Sequence, residues 1–138
     1  LYALCCVLHH AGANGLRVMW DYNEGNSAAI MAAAVEALEL IGDTELHQTA
    51  AEFWRQVISM SGASVPISFS SATRSDYEAA ERMLWSAYPR IFEAPELETL
   101  GNSFLSCGNT LFPERVLVWL RSHEETLAHD LCPDEDVA

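Results

Sequence analysis

Apolar residues recur along this chain every three or four positions and almost never alternate, a pattern that predicts helices throughout. The stretch from Ser27 to Ile41 is clearest. Ile30, Ala34, Leu38 and Ile41 share a side with Met31 and Val35 beside them, and Glu36, Glu39 and Asp43 fall opposite. Asn26 or Ser27 is placed to cap its start, and Gly42 stands where a C-terminal glycine belongs. Asp43 or Thr44 then opens a helix to about Ser59 that buries Leu46, Ala50, Phe53, Trp54 and Val57. So short a joint predicts an antiparallel pair. Upstream, Tyr2 to His10 reads as a helix ended by Gly12, and Leu16 to Tyr22 as a second, short one.

The segment Met60 to Arg74, "MSGASVPISFSSATR", breaks the periodicity with Ser, Gly and Pro and reads as a loop, with "VPISF" as its extended part. Ser75 to Glu78, "SDYE", has the form of a capping box for a helix running to Tyr88, where Pro89 is expected to end or kink it. Pro95 and Pro113 each suit a first helical turn. They predict separate helices, Pro95 to about Leu105 and Pro113 to about His129, the latter turning Val116, Trp119, Leu120 and Leu127 inward. The fold class is therefore all-α: one compact domain, residues 1–132, of about six to seven helices, with an acidic tail at 133–138.

At 138 residues, half of them hydrophobic, the chain can bury a substantial core. Charge changes the picture more. Twenty Asp and Glu face seven basic residues, all Arg, for a formal net charge of -13. Such a surface repels nucleic acid and anionic membranes and attracts basic proteins. Direct nucleic-acid binding and membrane association are therefore not expected. "LYALCCVL" is also too short to span a bilayer. Cys5, Cys6, Cys107 and Cys132 form no C-x-x-C pair and suggest buried, reduced thiols in a cytoplasmic protein.

Catalytic and metal chemistry find little support. His9 and His10 are adjacent and diverge by about 100° on a helix. His123 and His129 are poorly spaced for a shared ion, and "HEET" lacks the second His of a zinc helix. There is no G-x-S-x-G elbow and no phosphate-binding glycine loop, and the thiol in "SCGN" stands alone. No catalytic residue, metal ligand or cofactor site is assigned, and an enzyme of unrecognised type is the least supported class. The carboxylates are the better candidates. Glu36, Glu39, Asp43, Glu45 and Glu52 on the first helical pair, with Asp76, Glu78 and Glu81 beyond the loop, form a candidate partner-binding acidic face. Duplex DNA carries one charge per ~1.7 Å of axis, and a single helix with an acid every turn gives one per ~5–6 Å. Imitation of DNA thus needs adjacent acidic helices, or a homodimer that doubles them.

"NGLRVMWDYN" at Asn14 to Asn23, followed by a helix ending "EALELIG" and then "TAAEFW", resembles the DNA-mimic-protein-like family of small acidic helical domains. That family shows an Asn-Gly-Gly-Phe run, an aromatic pair with Asn, and a helix closing in Ala-Leu-x-x-Ile-Gly. Asn14, Gly15, Trp20, Tyr22, Asn23 and Gly42 match, whereas Leu16 replaces the second Gly and the Phe is shifted or lost. The resemblance covers Tyr2 to Ser59 and is looser beyond, where it rests on "LETLGNSF". It implies a non-enzymatic, dimeric protein that occupies the basic surface of a nucleic-acid-binding protein such as a transcriptional regulator. An immunity or antidote role against a basic toxin would use the same charge, and an acidic domain without mimicry is the plainer alternative. Asn14 and Gly15 suit the turn into a short helix that Met19, Trp20 and Tyr22 anchor and Asn23 closes, a structural corner rather than a binding site.

Overall fold

The computed structural model describes residues 2–13, 26–64 and 72–131, which hold six helices and no strand. In chain order these are α1 (Tyr2–Ala13), α2 (Ser27–Leu40), α3 (Thr44–Ser61), α4 (Arg74–Glu93), α5 (Pro95–Ser122) and α6 (Glu124–Leu131). The all-α class read from the periodicity is observed. The corner residues Asn14, Gly15, Trp20, Tyr22 and Asn23, the Leu16–Tyr22 helix, the "VPISF" stretch and the tail at 133–138 lie outside the described residues.

α2 sits at the centre, packed on α1, α3 and α4, and α3 packs on α2, α4 and α5. The sequence of α2 explains its place. Ala28, Met31, Ala32, Ala34, Val35 and Leu38 are buried along one side, Ala29, Ile30, Ala33 and Ala37 are half-buried around the rest, and a helix apolar on most sides must be surrounded. Its alanines also let neighbouring helices approach closely. α3 is more amphipathic, and its buried residues are the predicted Leu46, Ala50, Phe53, Trp54 and Val57. Phe53, Phe104, Leu38, Leu84, Ile91 and Leu97 fill the core completely, each contributing roughly 1.5–3 kcal/mol by leaving water.

The α2–α3 joint forms as the sequence predicts. Gly42 adopts φ +75°; its N–H reaches the Glu39 carbonyl at 3.1 Å, and that of Asp43 reaches the Leu38 carbonyl at 3.2 Å. This pair of bonds closes a helix on a left-handed residue, a conformation that a Cβ would strain. Asp43 then caps α3 by accepting from the Leu46 N–H at 3.3 Å.

Five boundaries differ from the sequence reading. α1 continues through Gly12 to Ala13, because a helical Gly costs only about 1 kcal/mol and does not by itself end a helix. α3 continues to Ser61 and stops at Gly62, φ +70°. The capping box of α4 is built by Thr73 and Asp76, two residues before the predicted Ser75: Thr73 accepts from the Asp76 N–H at 3.3 Å, and Asp76 from the Thr73 N–H at 2.8 Å. Pro89 lies inside α4 without ending it. Ile91, two residues later, is fully buried, and its packing holds the helix on course despite the missing N–H. Finally, the separate helices expected at Pro95 and Pro113 are one, α5, with Pro95 in its first turn. Leu97, Leu100 and Phe104 before Pro113 and Val116 after it all pack on the core, and that packing overrides the local breaker. The break falls instead at His123, whose ring stacks on Trp119 at 4.3 Å. Trp119 and Leu120 are half-buried, as expected of an inward side, whereas Leu117 and Val118 are exposed.

Candidate acidic interface

The candidate carboxylates come to three different ends. Asp43 and Glu81 are drawn inside. Glu81, on α4, is only 5% exposed, and its oxygens accept from the Ser27 N–H at 3.3 Å and the Ala28 N–H at 2.8 Å. It caps α2 from another helix, 54 residues away, where Asn26 supplies no side-chain cap. A carboxylate suits that place, since a helix N-terminus offers unpaired N–H groups and the positive end of the backbone dipole. Asp43 is 3% exposed; besides capping α3, its Oδ1 meets the Arg115 guanidinium of α5 at 2.9 Å. Both residues are therefore corrections to the expected outer face: each is part of the scaffold and out of a partner's reach.

A second group is exposed or half-exposed but engaged locally. Glu52 holds Arg55 through both its oxygens and takes a further bond from Gln56 at 2.8 Å. These bonds, Arg55 first, lower the Glu52 carboxyl below its ordinary pKa. Arg74 reaches Glu78 at 3.0 Å, an exposed pair one helical turn apart. Asp76 is spent on the Thr73 cap, whose backbone and hydroxyl bonds lower its pKa.

The third group faces outward near the α2–α3 joint. Glu39 and Glu45 are exposed on either side of that turn, and Glu36 is half-buried on α2. Glu36 lies close enough to α4 to influence Tyr77, whose hydroxyl pKa is raised chiefly by burial and then by the charges of Glu36 and Asp76. Other exposed acids stand elsewhere, among them Glu93, Glu96, Glu114 and Glu125. The carboxylates thus spread over five helices, α2 to α6, rather than collecting on α2, α3 and α4.

The described residues line two clefts beside this surface. One of about 530 Å³ runs along α3, floored by Val35, Ala51, Trp54 and Ile58 and edged by His47 and the Glu52–Arg55 pair. The other, of about 460 Å³, lies where Ile41 and Gly42 meet Arg115, Val118 and Trp119. Among the described residues, no three His, Cys, Asp or Glu side chains gather as a metal site, and no helix is long and apolar enough to cross a membrane.

The sequence reading missed a surface on α4. Trp85, Tyr88 and Phe92 form a ladder, with ring centroids 5.6 Å and 6.0 Å apart; Trp85 is 40% and Phe92 45% exposed. Ending the helix at Tyr88 cut this ladder in two. The spacing of three and then four residues between its aromatics was the signal that could have revealed it. Comparison with known proteins finds no matching family model, curated protein or solved structure.

Proposed function

We propose that this chain is a non-enzymatic acidic interaction protein whose carboxylate-bearing surface docks on a basic protein, in its sharpest form the DNA-binding surface of a transcriptional regulator. One observation carries the reading: a net charge of -13 without a single Lys, far beyond the ~2–8 units that solubility asks of a small domain. The exposed acids Glu39, Glu45, Glu78, Glu96 and Glu125, one on each of five helices, support it. Their spread favours broad charge complementarity over a narrow two-row imitation of phosphates.

The experiment is capture from a native-cell lysate on the immobilised chain at low salt, then elution with salt. A basic protein retained below about 0.1 M salt and released above it is expected, because the Debye length is then about 10 Å and shrinking. For the sharper form, the free chain should displace that protein from its DNA. Failure to retain any basic protein at low salt would overturn the reading.

A further inference from the structure

The cleft along α3 is apolar within and neutral at its edge. Ala51, Trp54 and Ile58 follow one another on α3 at spacings of three and four residues, and Val35 of α2 completes the floor. Ala51 stands one turn from His47 and one turn from Arg55, and its single methyl leaves the space between them open. That space, about 530 Å³, lies within the range of small-molecule sites. The edge charges are spent on each other, because Glu52 holds Arg55 through both oxygens and Gln56 besides. The floor keeps one polar group unspent. Trp54 is only 2% exposed, and its indole Nε1–H is buried without a hydrogen-bond partner among the described residues. A buried Trp N–H ordinarily finds an acceptor, and leaving it without one works against the fold.

We propose that this cleft binds a neutral, largely apolar small molecule with a flat aromatic body and a carbonyl-type oxygen that accepts the Trp54 N–H. Each part of that description answers a feature of the site. The apolar floor favours an apolar body, and the Trp54 ring favours an aromatic one beside it. An indole nitrogen only donates, so the ligand must accept. The paired edge leaves no lone charge to hold an ion, and a chain at -13 repels anions before they arrive. Nε1 is closed to solvent, so the ligand's oxygen reaches it through a small turn of the ring, the kind of side-chain adjustment common on binding. The site stands apart from the acidic surface, and salt separates the two. Screening weakens the grip on a basic partner and leaves a neutral ligand unaffected.

The probe is Nile red, a neutral, flat polycyclic dye with a ring carbonyl, set against the anionic dye anilinonaphthalenesulfonate. Fluorescence titration of the full chain should show saturable one-to-one binding of Nile red, unchanged between low salt and about 0.5 M. The sulfonate should bind at least tenfold more weakly. A proton–nitrogen correlation spectrum reads the four Trp indole N–H groups directly. The Trp54 signal, identified by its loss in Trp54→Phe, should move as Nile red saturates, while those of Trp85 and Trp119 stay. Ala51→Phe, which fills the cleft, should weaken Nile red about tenfold or more, and Trp54→Phe about fivefold, the loss of one hydrogen bond. Trp85→Ala, on the exposed side of α4, should change nothing. A Trp54 signal unmoved at saturation overturns the proposal, and so does the absence of saturable binding. Equal affinity for the sulfonate, or undiminished binding by an Ala51→Phe chain that is folded by circular dichroism, overturns it as well. If Ala51→Phe does not fold, the spectrum of the native chain decides.

Discussion

Glu81 and Asp43 differ from the other carboxylates in what surrounds them, not in chemistry. Each is buried, and each holds backbone N–H groups at the start of a helix. In sequence both look like members of an acidic surface, because their place in the helical pattern is equally compatible with solvent. Only the approach of α2 to α4 gives Glu81 two donors to serve. Glu81→Ala should therefore cost about 2–3 kcal/mol in urea unfolding, since it strands two N–H groups in a buried setting. Glu78→Ala, with its exposed pair to Arg74, should change stability by less than about 0.5 kcal/mol. Asp76 offers a pH test. Its folded-state pKa is depressed, so the stability its cap supplies is present above the ordinary carboxylate pKa of about 3.9 and is lost as pH falls through the lower folded value. The Tm difference between the native chain and Asp76→Asn should accordingly be full at neutral pH and shrink as pH drops below about 4.

At the scale of elements, the α2–α3 joint and the breaks at prolines show opposite degrees of legibility. Gly42 and Asp43 are local devices: a left-handed residue and a side chain reaching three residues ahead work wherever they occur. They were readable for that reason. Pro89 is a local device that lost to packing, because Ala87 and Ile91 on either side of it are buried in the core. The helix thus continues without the N–H that Pro89 would have given to the Trp85 carbonyl. Pro89→Ala should restore that bond on an exposed position and raise stability by about 1–3 kcal/mol, read as a higher urea midpoint. A lower midpoint would mean that α4 depends on a bend at this position. The same logic joins the helices expected from Pro95 and from Pro113 into α5, in which Leu97 and Phe104 are buried and Val116 packs against the core.

Across the whole molecule, charge works against compactness. A chain at -13, with twenty acids to seven Arg, repels itself when folded. Added sodium chloride should therefore raise the Tm of the monomer, with most of the gain complete by about 0.5 M, where the Debye length falls to a few ångströms. A flat or falling Tm would show that the ion pairs Arg115–Asp43, Arg55–Glu52 and Arg74–Glu78 outweigh the repulsion. The helical class, the stripes of α2 and α3 and the acidity are fixed by the order of residues, because period and charge are properties of the chain itself. Tertiary structure alone decided which acids face outward, that a carboxylate of α4 caps α2, and that the burial of Ala87 and Ile91 carries α4 past Pro89. Each of these depends on which helix lies beside which, and neighbours far apart in sequence leave no periodicity to read.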